Sequence, residues 1–485
     1  MSYSKYAPLK FWISLFAICA AFFLLLLPRL SEGTLFHTDE CLTAERARAM
    51  LLLGDYTTVY LNFKPNFNKP PLQYYLTTFS MRLIDDPELC VRIWSLVYAT
   101  VCLALTALLY LQLRPAAWSE ALWPAIALAG YGYWIDNARI ALLDMGLTFF
   151  ILCVLIAVLR AQQAPRWWLL AGLAAGLGAW QKNSIPVIIF LGLGVMSLSA
   201  RDVRSDFQRR RWILLGAALA IVLYVVWPLL QGMRYPEAYL QMLHREGTRL
   251  VFERKDAMIA TVSPRFSYIG WILEKWLVFG ALALLSLPII FSMHRLRAQT
   301  SLRKVALVAL IYLLILSFFA VWHKYYMLPV LPLLAICGVY WVFDSCAHMG
   351  WRRWLAHSIM ALVLMPVLVI GAFHGLRPTR DYTAQIQCAR DAMQAQKPDA
   401  AFCLIGKAHD LQSLFFHQIA YYLKFREHVA FYRMDQLHKL PQGTLLYGIV
   451  HLSRQRELEQ WTEGLRPISR HGDYIVFEAR RNSAW

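Results

Sequence analysis

Charge is scarce in this chain of 485 residues: 16% are Asp, Glu, Lys or Arg, where a soluble domain carries about a quarter. So apolar a composition excludes intrinsic disorder and a coiled coil. Paired cysteine motifs are also missing. The nine Cys are scattered, with no Cys-x-x-Cys and no zinc spacing, which excludes a disulfide scaffold and a zinc module. There is no phosphate-cradling Gly loop, no metal-binding His pair and no Gly-x-Ser-x-Gly elbow, so nothing points to ATP, a nucleotide sugar or a hydrolase triad. No internal repeat stands out.

Long apolar runs are plentiful. A membrane-spanning helix needs about 20 apolar residues, and about eleven candidate runs exist by that rule: 11–27, 93–113, 117–135, 140–159, 167–181, 185–200, 212–230, 269–292, 305–322, 326–343 and 354–375. The expected fold is a mainly α, polytopic transmembrane bundle. The first run lacks a small-residue cleavage site after Pro28, which predicts a retained span with the N-terminus in the cytoplasm.

The net charge of +18 fits that topology. Arg114, Arg160, Arg166, the block Arg201 to Arg211, Arg295, Arg297, Arg303, Lys304, Arg352 and Arg353 all fall in inner loops. The short outer loops hold one cation each, Arg139, Lys182 and Lys324. This is the asymmetry that insertion selects, and it leaves the basic block with no need of a nucleic-acid partner.

The domain reading is a transmembrane module over 1–375, with outer loops 30–92 and 231–268, and a soluble α/β domain over 376–485. In that tail short apolar strands (Ala401–Ile405, Val429–Tyr432, Leu445–Val450, Tyr474–Glu478) alternate with helical stretches (Leu411–Leu423, Arg454–Leu465). Cys41, Cys90, Cys388 and Cys403 lie outside the membrane, where the pairings 41–90 and 388–403 are open in an oxidising compartment.

Candidate chemistry gathers at the outer face. Thr38 can cap a helix that starts with Asp39 and Glu40 and stops at Gly54. With Leu42, Ala49, Met50 and Leu53 on one face and Glu45, Arg46 and Arg48 opposite, it reads as an amphipathic helix along the membrane. Asp39 and Glu40 then either serve a reaction or merely satisfy the helix terminus. Lys69 precedes Pro70 and Pro71, so it rides an extended stem before a second helix, Leu72–Ile84. There it either grips a phosphate or snorkels. Asp144 lies inside an apolar run and is a functional candidate for that reason. Arg139, Lys182, His244, Arg249 and Lys324 complete a set of acids and bases at the outer ends of separate helices. Cations of this kind neutralise a phosphate leaving group, and a carboxylate accepts a proton from the nucleophile.

Several pieces occur in a distinctive order: Asp39-Glu40, Ala44 to Arg48, Gly54-Asp55, Lys69-Pro70-Pro71-Leu72, Arg139 to Asp144, Gln181-Lys182, and Lys324-Tyr325-Tyr326 through Pro332. In these the chain resembles the lipid-dependent membrane glycosyltransferases of the GT-C superfamily, in the branch of the lipid A 4-amino-4-deoxy-L-arabinose transferases and the protein O-mannosyltransferase-like enzymes. The resemblance implies a donor sugar on a polyprenyl phosphate, an acceptor attacked outside the cytoplasm with inversion, and a bacterial inner-membrane location with a periplasmic site. It implies Asp39 as the catalytic carboxylate, Lys69 as the contact to the donor phosphate, and Lys324 with Tyr325 on the donor side; Glu40, Arg139, Asp144, Lys182, His244 and Arg249 are the further substrate-binding candidates. Some arabinose transferases carry Glu before that Lys and use it with a His to hold a divalent metal. Here Asn68 stands in that place while His244 is available, so a divalent metal stays open, no metal ligand is assigned and no other cofactor is implied. The acceptor is lipid A, another glycan or a protein hydroxyl. A transporter of lipid-linked sugars is the alternative of another class, and it predicts paired repeats and midplane charges.

Overall fold

A computed structural model describes residues 8–199, 206–251, 267–297, 299–318, 323–377, 383–395, 400–406 and 412–482. The chain divides into two compact units. One comprises Met1–Leu30, Phe67–Gln73 and Arg92–Arg377, the other Ser31–Asn66, Tyr74–Val91 and Pro378–Trp485.

The first unit is helical: α1 (Leu9–Leu26), α4 (Leu89–Leu113), α5 (Leu122–Ala129), α6 (Gly132–Ala138), α7 (Leu143–Arg160), α8 (Trp167–Gln181), α9 (Ile185–Leu198), α10 (Phe207–Arg234), α11 (Pro236–Val251), α12 (Ser267–Ser292), α13 (His294–Arg297), α14 (Thr300–Phe318), α15 (Leu331–His348) and α16 (Arg353–Leu376). A 3₁₀ turn, Lys324–Val330, leads into α15. Where they are described, the expected apolar runs fall mostly on helix; residue 200 of the run 185–200 and residues 319–322 of the run 305–322 lie outside the described residues. Among the described residues seven helical stretches are long and apolar enough to cross a membrane, while Ile185–Leu198 and Trp276–Ser292 are apolar but shorter.

The run 117–135 is not one helix. It breaks between α5 and α6 because α16 presses into it: a Cβ on Gly371 would overlap the Gly130 carbonyl, and Gly130 itself abuts Leu368. Tyr131, at the break, packs on Trp276 at 4.6 Å. Small residues bring α8 and α10 together in the same way, with Gly172 against the Gly216 carbonyl and Gly176 against Leu223. Such close approach drives helix association in lipid, where apolar burial alone gives no preference. The expected loop 231–268 is helical as far as Val251.

The second unit holds α2 (Thr38–Leu53), the short pair β1 (Tyr60–Leu61) and β2 (Lys64–Pro65), and a mixed five-stranded sheet of order β4-β3-β5-β7-β6. Its strands are β3 (Ala401–Ile405), β4 (Phe431–Tyr432), β5 (Leu445–His451), β6 (Thr462–His471) and β7 (Tyr474–Arg481), accompanied by α17 (Thr383–Gln394), α18 (Gln412–Leu423) and α19 (Gln455–Trp461). The strand β3 runs parallel to both neighbours, and the β5–β7–β6 ribbon is antiparallel. Gly448 (φ 156°) lies so close to the Cys403 carbonyl that no side chain fits there. Phe477, Leu446, Val450, Cys403 and Leu437 form the core.

The α/β reading of the tail holds strand by strand, with one correction. The expected helix Arg454–Leu465 ends at Trp461, and the chain turns into β6. Most of β6 is exposed and carries two register shifts and Pro467, so an edge strand hides behind a pattern that does not alternate. None of the nine cysteines, all among the described residues, is in a disulfide, so neither open pairing forms.

Candidate active site

In the first unit the site is built on two helix ends. Residues Ile140 to Leu142 are not helical, and α7 starts at Leu143 with Asp144 in its first turn. Asp144 therefore sits at a helix entrance rather than within a continuous span. Lys182 is the C-cap of α8. The Lys182 ammonium donates to the Asp144 carboxylate, with the two side chains 7% and 3% exposed. Each charge opposes the partial charge of its own helix end, carboxylate at a positive terminus and ammonium at a negative one. The Lys182 Nζ also lies 4.3 Å from the centre of the Tyr326 ring and 5.4 Å from that of Tyr325, and a desolvated cation gains from such faces.

Lys69 belongs to the same unit. Its segment is fixed on both sides: the Phe67 ring packs on Tyr235 and Tyr239 at 5.6 and 5.4 Å, and the Gln73 Oε1 accepts from the Gln181 Nε2 at 2.7 Å. Lys69 is half-buried and Asn68 exposed. The helix α3 (Leu72–Met81) follows, three residues shorter than expected. Lys324 is exposed, with its Nζ 4.9 Å from the centre of the Trp271 ring, and Tyr325 is buried and stacked on His323 at 5.0 Å.

Arg139 is held elsewhere. Its guanidinium donates to the Arg377 carbonyl at 2.7 Å and pairs with Asp136 at 3.2 Å, and Asp136 also meets His374 at 3.2 Å. Its charged neighbours are Asp136, Arg29 and Arg92, so this guanidinium ties α6 to the end of α16. His244 is exposed on α11, while the Arg249 side chain lies outside the described residues. Two open grooves, of about 480 Å³ beside Leu287, Phe291 and Leu310 and about 400 Å³ beside Phe207, Arg210 and Leu214, are lined by none of the expected site residues.

In the second unit α2 differs from its expected form. The N-cap is His37, whose Nδ1 accepts from the Asp39 N–H at 3.2 Å, rather than Thr38. Gly54 (φ 66°) ends the helix as expected. The polar face is not solvated. Glu45 and Arg46 are buried, while Leu52 and Leu53 are exposed, because partners distant in sequence satisfy the charges. Arg48 forms a two-point pair with Glu45 (2.7 and 2.9 Å) and donates to the Phe425 carbonyl at 2.7 Å. Burial nevertheless pushes the Glu45 carboxyl above its ordinary range, against the pull of Arg48. Glu40 is buried and accepts from the Phe36 N–H at 3.1 Å, a terminus-satisfying role.

Asp39 is half-buried, one turn ahead of Thr43, whose hydroxyl donates to the Asp39 carbonyl at 2.8 Å. Arg46, seven residues on and on the same face, donates to the Tyr74 Oη at 2.8 Å. Burial raises the Tyr74 phenol, Arg46 lowers it, and the Asp39 charge raises it further. Arg46 and Tyr74 therefore share the electrostatic surroundings of Asp39. The amphipathic pattern of the sequence places Arg46 on the solvated face; its i+7 spacing from Asp39, two turns along the helix, is the signal that links the two.

Residues 68–230 match the family model of dolichyl-phosphate-mannose-protein mannosyltransferases. An undecaprenyl phosphate-alpha-4-amino-4-deoxy-L-arabinose arabinosyl transferase of Sodalis glossinidius is 30% identical over 213 residues, 42% of this chain and 36% of the relative. One from Pectobacterium atrosepticum is 31% identical over 219 residues, 43% and 37% of the two chains. The matched segments thus span little more than a third of these relatives. Among solved structures, ArnT from Cupriavidus metallidurans bound to undecaprenyl phosphate superposes with a TM-score of 0.73 at 18% identity, over 97% of this chain and 98% of that one. The chain has the fold of that ArnT. An oligosaccharyltransferase of Archaeoglobus fulgidus shares it more distantly, with a TM-score of 0.59 at 11% identity over 97% of this chain and 74% of that one. The resemblance drawn from the motifs stands, and the chain is a multi-pass membrane protein of this fold.

Proposed function

We propose that this protein is a glycosyltransferase of the bacterial inner membrane that moves a sugar from a polyprenyl phosphate to an envelope acceptor at the periplasmic face. The observation that carries the reading is the buried Lys182–Asp144 pair, set against Tyr325 and Tyr326, with the Lys69 segment tied to the residue next to Lys182. Buried ionic groups in a membrane chain are expensive and mark substrate sites. The GT-C fold and the arabinosyl transferase relatives favour a lipid-phosphate donor.

In the proposed reaction the acceptor oxygen attacks the anomeric carbon, the bond from that carbon to the phosphate oxygen breaks, and polyprenyl phosphate leaves as the anion. Asp39 takes the acceptor proton. Lys69 neutralises the phosphate oxygens, with Lys324 and Tyr325 on the donor side, Lys182 and Asp144 shaping the cationic surroundings, and His244 and Arg249 as further substrate contacts. A divalent metal does not fit well: Asn68 supplies no charge, and among the described residues no group of three His, Cys, Asp or Glu is disposed to hold an ion. No step is assigned to one.

The test is transfer of radiolabelled sugar from a synthetic polyprenyl-phosphate donor in detergent, followed by mass spectrometry of envelope glycolipids and glycoproteins with and without the gene. A covalent product on lipid A or another glycan is expected, and a product on protein would assign the second acceptor class. Movement of the donor across a vesicle with no covalent product would replace this reading with that of a transporter.

A further inference from the structure

Two glutamines of the first unit have no solvent exposure at all, Gln73 and Gln181. Nothing in the proposed chemistry uses them. Their amides meet at 2.7 Å, and the Gln181 Nε2 also lies 3.4 Å from the Leu143 carbonyl, while its Oε1 is within 3.5 Å of the Tyr98 hydroxyl. Tyr98 apart, each group touched adjoins a candidate ligand in sequence. Leu143 precedes Asp144, Gln181 precedes Lys182, and Gln73 follows Lys69 by four residues across the stiff Pro70-Pro71 step. The junction has room because residue 146, one turn into α7, is glycine: a Cβ there would run into the Gln181 amide.

From this geometry we infer that the Gln73–Gln181 pair is a positioning clasp, which sets the spacing between the Lys69 ammonium and the Asp144–Lys182 pair so that one phosphate headgroup is gripped by a fixed arrangement of cations. The inference rests on the proposed lipid-phosphate donor. A neutral amide pair suits this task. It fixes three backbone segments through directional bonds without adding a charge that would compete with the phosphate for the ammonium groups. Buried polar groups that are fully paired specify one arrangement, whereas a half-paired one is destabilising. Phe67, packed on Tyr235 and Tyr239, holds the other end of the Lys69 segment, so the clasp is the second of two anchors.

The experiment measures Kd for undecaprenyl phosphate, donor KM and kcat, and melting temperature, in detergent. The variants are Gln73→Leu, Gln181→Leu, Gly146→Ala and the double Gln73→Leu/Gln181→Leu. The single variants are expected to raise Kd and KM by about tenfold, the order of one lost hydrogen-bonded constraint, and to change kcat by less than about twofold. In the double variant both amides are gone and only the Tyr98 hydroxyl, 3.5 Å from Gln181, loses a weak partner, so most of the melting temperature recovers while Kd stays raised. That split is what a purely structural pair would not produce. Unchanged Kd in all variants, Kd recovering together with the melting temperature in the double variant, or no binding of undecaprenyl phosphate by the unaltered protein would each overturn the clasp. If the unaltered protein binds the lipid phosphate but transfers no sugar, the proposed reaction fails while the Kd series still decides the clasp.

Discussion

Replacing Asp144 by Ala leaves the Lys182 ammonium in a site where its side chain is 7% exposed. Removing one partner of a buried ion pair costs about 3–5 kcal/mol, because the remaining charge has lost both water and counterion. The faces of Tyr325 and Tyr326 stay within 5.4 Å of the ammonium and offset about 0.5–2 kcal/mol of that. The expected net loss is therefore about 1–4.5 kcal/mol. Lys182→Met should lose a similar amount, since the buried carboxylate loses its ammonium while the α7 terminus supplies up to about 2 kcal/mol. The double variant Asp144→Ala/Lys182→Met removes both charges and should return to within about 1 kcal/mol of the unaltered protein. Denaturant titration in fixed detergent, followed by Trp fluorescence, reads these differences. Single variants that unfold within about 1 kcal/mol of the parent would refute the reasoning, because the pair would then have to be solvated.

Tyr74→Phe removes the acceptor of the buried Arg46 guanidinium and should destabilise by about 1–3 kcal/mol, read by the same titration. Burial pushes the Cys403 thiol up to about 12, so the unfolded chain ionises first on the alkaline side. Its contribution is fully present below about pH 8.5 and declines as pH rises toward 12. Iodoacetamide should leave Cys403 unmodified by mass at neutral pH until the sheet unfolds, and Cys403→Ala should flatten the alkaline decline. Gly448→Ala forces a side chain toward the Cys403 carbonyl at φ 156° and should lower the unfolding midpoint by the equivalent of about 1–3 kcal/mol or more.

Much of the fold was legible because its signals are local. Apolar runs gave the helices of the first unit, and strand-length alternation gave four of the five strands of the sheet. The strand β6 was hidden because it is an exposed edge whose partner, β7, supplies the pattern. The break at Gly130 was hidden for a similar reason: it is imposed by Gly371 and Leu368 on α16, more than 200 residues away in sequence. At the site, Asp144 and Lys182 were legible because a charge in an apolar run is costly and so conspicuous. Gln73 and Gln181 carry no such mark, and their importance exists only once they meet. The helix α2 misled because its charges, solvated in a pattern reading, are satisfied by Phe425 and Tyr74 from distant parts of the chain.

The central claim, that Lys69 grips a lipid phosphate while Asp39 activates the acceptor, is tested most directly by measuring undecaprenyl phosphate binding and sugar transfer side by side in Lys69→Ala and Asp39→Ala. Binding should weaken in Lys69→Ala, and in Asp39→Ala it should match the unaltered protein while transfer disappears. Full binding in the first variant, or full transfer in the second, would contradict the account.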